Sequence, residues 1–340
     1  MAGIDRHHRP SMTSADLAQE LGVSRASVSY ALNGKPGVSP ELRKKILTTA
    51  RRRGMISKEI DKSSIGSIGM ILADLGNPFY AAIAVEATKS ARDQKVELLL
   101  SHSEDNPEAI AKAAENMAKS GVKGIILTTL NVGDGALVRD LRSRHTPIVL
   151  LSRRVPQLAE IPFDGIDDYR AGYELMSHVI SHGYSEIAIA TGGFSSFATR
   201  QRIEGFLAAA EIEGVHIPRT SVMSTSLNVL GGDIAAEHLL GSGKLPQVVV
   251  CGADAIATGL INRLAVAGIS VPEDIAIVGF DGIPSTQHPF LDLTTIIQPI
   301  DTMAQGAIAK ILKLAAGETI ENPITIHPHK FHIGSSCGDH

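Results

Sequence analysis

From Ile65 onward the chain alternates between two kinds of segment. Short apolar runs ("IGSIGMIL", "VELLL", "GIILT", "PIVLL", "EIAIA", "QVVV", "IAIVG") are separated by helical stretches such as 79–93, 106–119, 199–213 and 256–267. Such alternation leaves few options, because successive strands must then run parallel with helices covering both faces of the sheet. About 270 residues exceed one core of this kind, so two doubly wound parallel-sheet lobes are expected. The break is placed near Ile161–Phe163, with a return near residue 293. The first lobe is then 66–162 with 293–322, and the second is 163–292 with 323–340.

The first 56 residues follow a different rule and predict a small all-α head of three helices. Thr13 caps the first, with Asp16 three positions on and Leu17 and Leu21 one turn apart, and Gly22 breaks it. Ser24 caps the second, in which Val28 and Leu32 repeat the four-residue spacing before Asn33-Gly34 ends it. Ser39 and Pro40 open the third, which runs through Leu42, Ile46 and Leu47 to Gly54. Polar residues 57–65 then read as a linker.

Charge separates the same two parts. Residues 1–62 carry 12 Lys+Arg against 6 Asp+Glu, although the whole chain of 340 residues has a formal net charge of −4. A basic head on an acidic body is the pattern of a nucleic-acid anchor joined to a sensor or enzyme. "LAQELGVSRASVSYALNG" has the features of a helix-turn-helix, whose second helix enters the major groove. Arg25, Ser27 and Tyr30 then face DNA, while Val28 and Leu32 hold the helix to its body.

The string "TSADLAQELGVSRASVSYALNGKPGVSPELRKKIL" resembles the DNA-binding head of the LacI/GalR family of bacterial transcription regulators. "NPFY", "GVKGIIL", "RIEGF", "DAIATG", "VPEDIAIVGFDGIP" and "LTTIIQP" continue the resemblance in order, nearly end to end. It implies a homodimer with a periplasmic-binding-protein-like sensor body, whose affinity for double-stranded operator DNA is switched by a small effector. It places base reading on Arg25, Ala26 and Tyr30: a guanine edge, a thymine methyl and a hydrogen bond respectively. Thr13, Ser24, Ser29 and Asn33 become phosphate contacts that set register. Arg51–Arg53 either touch phosphate or favour the end of the third helix. The segment "MISKEIDKSSIGS" departs from the family. It lacks the Pro-Asn and the leucine lever of the usual hinge helix, and Glu59 and Asp61 flank the lone candidate wedge, Ile60. Minor-groove kinking of the usual kind is therefore not expected.

In open parallel sheets, ligands bind beyond the carboxyl ends of the strands. Asn77-Pro78-Phe79-Tyr80, Ser152-Arg153, Gly192-Gly193, Ala253-Asp254 and Asp281 follow strands here. Phe79 offers an apolar face, Arg153 and Arg202 forked donors, and Asp281 an acceptor for vicinal hydroxyls. Asp254 has an alternative role as a helix cap, and Asn77-Pro78 as a turn. By the resemblance, Asn77, Phe79, Arg153, Arg202, Asp281 and Gln298 match ligand-contacting positions of sugar-binding relatives. Ser152 stands where an aspartate is common and Ala253 where an asparagine is common. Both changes remove hydroxyl partners and add room, which argues against free ribose and for something larger, such as a nucleoside. The expected effector is a pentose, a nucleoside or a related polyol.

Other classes lack their signatures. There is no P-loop, GxSxG, HExxH or strand-following GxGxxG, so neither catalysis nor a cofactor is expected. Cys251 and Cys337 lie far apart with no CxxC, which gives no zinc or disulfide framework. His327 and His329 in "IHPHK" read as strand residues, and "RHHRP" as a terminus, rather than as metal ligands. No apolar run reaches membrane-spanning length and no signal peptide is evident, so the expected compartment is the cytoplasm. A solute-binding receptor or a sugar-processing enzyme on the same body are the alternatives.

Overall fold

The computed structural model describes residues 13–32, 35, 37–53, 66–131, 133–143 and 145–338. They belong to two units, Met1–Ile65 and Gly66–His340. Asn33 and residues 57–65, with Ile60 and the hinge reading, lie outside the described residues, as does "RHHRP".

The first unit holds three helices, α1 (Ser14–Leu21), α2 (Arg25–Leu32) and α3 (Pro40–Arg52). Thr13 and Asp16 make a reciprocal capping box: the Asp16 N–H donates to Thr13 Oγ1 (3.3 Å) and the Thr13 N–H to Asp16 Oδ2 (2.8 Å). Gly22 closes α1 at φ +66°, a conformation that costs glycine nothing. Ser24 receives the Ser27 N–H at 3.0 Å, and Ser39 receives that of Leu42 at 3.3 Å. Leu17, Ala18, Val28, Ala31, Ile46 and Ala50 form the core of this small body.

The second unit contains two six-stranded sheets. The first is ordered β11-β5-β4-β3-β1-β2, with β1 (Ser67–Leu72), β2 (Glu97–His102), β3 (Ile125–Leu127), β4 (Ile148–Leu151), β5 (Phe163–Gly165) and β11 (Ile324–Ile326). The second is ordered β12-β10-β9-β8-β6-β7, with β6 (Ile187–Thr191), β7 (Val222–Ser224), β8 (Val248–Cys251), β9 (Ala276–Asp281), β10 (Thr294–Ile297) and β12 (Lys330–His332). Every pairing is parallel except β10 with β12. The central strands are apolar on both faces because helices cover both. These helices are α4 (Pro78–Asp93), α5 (Pro107–Lys119), α6 (Gly135–Ser143), α7 (Asp168–Ser181), α8 (Phe197–Ile212), α9 (Val229–Gly241), α10 (Asp254–Val266) and α11 (Ile300–Ala315).

The lobe boundaries differ from the sequence expectation. Phe163 and Asp164 pair with Leu150 and Leu151, so β5 ends the first lobe rather than opening the second. Thr294–Ile297 pair with Val278–Asp281, so the chain returns only with α11, which packs on α4. β11 then pairs with β5, not within the second lobe. Three-residue strands carry too little pattern to declare their sheet; backbone pairing decides it.

Glycine sets one packing detail that matters for the cleft. A Cβ at Gly205 would lie 2.1 Å from the Tyr169 carbonyl oxygen, and one at Gly172 would lie 2.4 Å from that of Arg202. Only glycine lets α7 and α8 approach this closely, and the approach brings the Arg202 and Asp168 side chains together.

Candidate functional site

The carboxyl ends of both sheets face a common cleft. Its open part is a cavity of about 450 Å³, within the range of small-molecule sites (about 300–1,000 Å³). The first lobe contributes Asp74, Tyr80, Glu104, Asp105, Asn131 and Arg153, and the second contributes Gly192, Gly193, Ser196, Thr199, Thr225 and Asn228. Asn228 Nδ2 donates to Asp74 Oδ2 at 3.3 Å, tying the lobes across the opening.

Below this cavity, Asn77, Phe79, Tyr80, Ser152, Arg153, Arg202 and Asp281 line one narrow recess of about 10 Å³. The recess is thus built from most of the residues expected from the sequence. Asn77 caps α4, its side chain accepting the Phe79 N–H at 3.0 Å, so it shapes the turn while also lining the recess. Phe79 is buried and packs edge-on against Tyr80, with ring centroids 5.3 Å apart. Its face is therefore not open for stacking as the structure stands, and Tyr80, itself buried, is the aromatic that lines the larger cavity. Burial pushes the Tyr80 phenol up to about 12.

The charges here are largely matched already. Arg202 Nε donates to Asp168 Oδ1 at 2.8 Å, and its Nη1 to the Gly252 carbonyl at 2.8 Å and to Asp281 Oδ1 at 3.2 Å. Its guanidinium also lies 3.8 Å from the centroid of the Phe280 ring. Burial works against this cation, but the two carboxylates outweigh it and hold Arg202 charged. Gln298 Nε2 donates to the same Asp281 oxygen at 2.8 Å, so Gln298 positions the carboxylate. Burial pushes the Asp281 carboxyl up to about 6 despite these partners. In the first lobe, Arg153 Nη1 donates to Asp105 Oδ1 at 2.7 Å, and Thr129 donates to that oxygen at 3.0 Å.

Asp254 is not in the cleft, and it does not cap its helix. It is the first residue of α10, and Ala253 stands at the cap without a side-chain bond. The Asp254 carboxylate turns into the core, where three donors meet it: Thr295 Oγ1 (2.6 Å), Thr286 Oγ1 (2.8 Å) and the Ile283 N–H (2.9 Å). It pins the chain after β9 to β10. Ala253 is buried and lines neither cavity, so its small side chain adds no room there. His327 and His329 lie beside β11 and β12 rather than within them, bonded to Asp164 and Glu174.

Sequence reasoning missed the acidic outer wall (Asp74, Glu104, Asp105), along with Asn131, Asn228 and Asp168. Most of these follow apolar runs by a few residues, so extending the strand-end rule to "VELLL" and "GIILT" finds several of them.

On the head, Arg25, Ala26, Ser29 and Tyr30 are exposed along α2, and Ser27 is half-buried. Val28 and Ala31 occupy the opposite, buried face. Ser24, exposed, shares a 2.9 Å hydrogen bond with the Ser27 hydroxyl. The Thr13 hydroxyl is engaged with Asp16 Oδ2 at 2.7 Å, which a phosphate would have to displace. Arg53 is paired with Glu20 (2.9 Å), fastening α3 to α1, whereas the side chains of Arg51 and Arg52 lie outside the described residues.

Known proteins resemble this chain in sequence and fold. Residues 65–332 match the family described as periplasmic binding proteins and sugar binding domain of the LacI family. The chain is 28% identical over 330 residues to catabolite control protein A of Priestia megaterium, covering 96% of this chain and 99% of that protein. It is 26% identical over 324 residues to the ribose operon repressor of Escherichia coli K12, covering 91% and 94% respectively. In fold it matches the lac repressor dimer bound to operator and the anti-inducer ONPF, with TM-score 0.74, 20% identity, and 97% and 100% of the two chains covered. The two relatives are named as regulators, not as enzymes, and among the described residues no helix is long and apolar enough to cross a membrane. The chain belongs to the LacI family of transcriptional regulators.

Proposed function

We propose that the protein is a homodimeric repressor acting at cytoplasmic operator DNA, released or tightened by a small hydroxyl-rich effector bound between the lobes. Supporting DNA reading is the asymmetry of α2, which presents Arg25, Ala26, Ser29 and Tyr30 to solvent while burying Val28 and Ala31. Arg25 pairs with a guanine edge, Ala26 meets a thymine methyl and Tyr30 donates to a base. Ser24 and Ser29, with Asn33 and Thr13, set the register on phosphates.

The observation carrying the effector class is the charge of the cleft. Asp74, Glu104 and Asp105 line the cavity with Arg153 as the cation among them, and Arg153 already serves Asp105. A phosphate or carboxylate entering there meets uncompensated carboxylates, whereas a neutral polyol meets acceptors for its hydroxyls. A pentose or nucleoside fits, in keeping with the name of the ribose operon relative. Tyr80 packs against it, and Asp281, Arg202 and Arg153 bind its hydroxyls once the recess opens. Asn77, Phe79, Ser152 and Gln298 shape that recess.

A thermal-shift screen of sugars, nucleosides and their phosphates tests this reading. A ligand at about 100 times its Kd stabilises the folded state by about 2.7 kcal/mol. A hit among neutral sugars or nucleosides, with the matching phosphates silent, is expected. Hits confined to phosphates refute the effector class, and gel shifts showing equal affinity for every duplex refute the DNA reading.

A further inference from the structure

At the other end of α7 from Asp168, three donor groups converge that neither the cleft nor the head uses. His178 lies in the last turn of α7 and His182 caps its C-terminus four residues on, and Cys337 sits on the short 3-10 turn Ser335–Cys337. Their ligand atoms all lie within 4.8 Å of one another, and His178 Nε2 is 3.4 Å from Cys337 Sγ. We propose that His178, His182 and Cys337 form a binding site for a borderline-soft transition-metal ion of the zinc type.

Geometry supports this. Around a tetrahedral zinc, bond lengths of about 2.0–2.1 Å to nitrogen and about 2.3 Å to sulfur separate S from N by about 3.6 Å, and N from N by about 3.3 Å. His178 Nε2 and Cys337 Sγ, 3.4 Å apart, are already near the sulfur–nitrogen separation. The remaining pairs, all within 4.8 Å, would have to draw in by up to about 1.5 Å to hold a tetrahedral ion.

The surroundings are already built. Thr294 Oγ1 lies 2.9 Å from Cys337 Sγ, and Tyr184 Oη donates to the Cys337 carbonyl at 2.9 Å. The Thr294 N–H donates to Ser336 Oγ at 2.9 Å, and Ser336 Oγ donates to the Ile277 carbonyl at 2.6 Å, so the turn carrying the cysteine is clamped to the sheet. Phe331 packs edge-on against His178, and Tyr184 stacks on His182. Outer groups of this kind fix the orientation of metal ligands.

One thiolate and two imidazoles select zinc, cobalt or copper over magnesium and calcium. Binding replaces the thiol S–H bond with a metal–sulfur bond and releases the proton to water. Three protein ligands leave a fourth position for water or an exogenous ligand. Ten residues of helix, about 15 Å, separate His178 from Asp168, which holds Arg202.

The test uses the full-length protein, stripped of metal and titrated with zinc chloride by calorimetry and with cobalt chloride by absorbance. Expected are one ion per chain and a near-ultraviolet thiolate-to-cobalt charge-transfer band. Cys337→Ser should abolish the band, and His182→Gln should weaken zinc affinity by about tenfold or more. Replacing His7 and His8 with alanine should leave both signals intact. Circular dichroism of the metal-free variants reports folding, and if Cys337→Ser does not fold, His182→Gln carries the decision. A cobalt spectrum without the thiolate band, affinity unchanged in His182→Gln, or binding lost with His7 and His8 overturns the assignment.

Discussion

Replacing Arg202 with methionine probes the centre of the second lobe. Arg202 is a buried cation holding Asp168 at 2.8 Å and Asp281 at 3.2 Å, and methionine fills much of its volume without its charge. Two buried carboxylates then lose their counterion, and breaking a buried ion pair from one side destabilises by about 3–5 kcal/mol. The loss has a ceiling that depends on pH, because a stranded carboxylate escapes by taking up a proton. At about 1.36 kcal/mol per unit above an unfolded pKa near 3.9, this escape costs about 5.6 kcal/mol per carboxylate at pH 8 but only about 1.5 kcal/mol at pH 5. At the lower pH Asp281, raised to about 6, is largely protonated in wild type already, and only Asp168 is stranded. The deficit of Arg202→Met relative to wild type should therefore be about 3–5 kcal/mol at pH 8 and smaller by at least about 1 kcal/mol at pH 5. Urea unfolding followed by far-ultraviolet circular dichroism measures both, since the chain has no tryptophan. A variant within about 1 kcal/mol of wild type at pH 8, or a deficit that grows on acidification, would refute the view that Arg202 neutralises these carboxylates.

Three further outcomes are expected. Arg25→Ala should weaken operator binding by about 1–3 kcal/mol and relax one position per half-site, whereas Ser24→Ala should weaken all duplexes about equally, as read by gel shifts across salt concentrations. Asp281 has a folded pKa raised to about 6, so protonation removes an acceptor below that value. Effector affinity should therefore fall as pH drops through about 6 and level off above it, and Asp281→Asn should flatten the profile. The raised pKa also makes this group's contribution to stability decrease as pH climbs from about 4 to about 6, because the unfolded chain releases the proton first. Asp254→Asn, which replaces an acceptor of three hydrogen bonds with a group carrying its own donors, should destabilise the body by about 2–4 kcal/mol. Its expected lack of effect on effector affinity, measured by calorimetry on the folded variant, separates it from Asp281.

Local signals were legible where one short segment contained the whole reason. Thr13 with Asp16, Gly22 and Ser24 specify helix ends through bonds to residues at most four positions away, Pro40 does so through its fixed φ at the first helical position, and all lie where expected. The strand-end rule likewise brought Asn77, Tyr80, Ser152, Arg153 and Asp281 to one recess. The pairing of Arg202 with Asp168 was not legible. It spans 34 positions and depends on Gly172 and Gly205 allowing two helices to touch backbone to backbone. Asp254 was misread because a carboxylate after a strand points either out to the cleft or down to the core. The choice was made by Thr286 and Thr295, which sequence does not place beside it. The membership of β5, β10 and β11 was lost for a similar reason, since pairing partners rather than residue pattern assign such short strands.

The balanced charges of the recess constrain how a ligand can switch this molecule. Arg202, Asp168, Asp281 and Gln298 are bonded to one another within the second lobe and its exit, and Arg153, Asp105 and Thr129 within the first. Each group keeps its partners if the lobes separate, so none of these three ion pairs by itself favours the closed cleft. Between the two sets stand Tyr80 on one side and the Asn228–Asp74 hydrogen bond at the mouth. A ligand shifts a conformational equilibrium only by the difference in its affinity for the two states. An effector contacting one lobe alone would bind without switching. Under the proposed reading, hydroxyls spread around a sugar ring would meet acceptors on both lobes at once, and that bridging would exist only when the cleft is closed. Asn228→Ala, which removes the direct tie at the mouth, should lower effector affinity by opening the free protein. It should do so without altering which ligands are recognised, as a calorimetric comparison of several sugars and nucleosides against wild type would show. A changed rank order among ligands would mean that Asn228 reads the effector itself, and the bridging would then have to be sought deeper, at Tyr80 and Arg153.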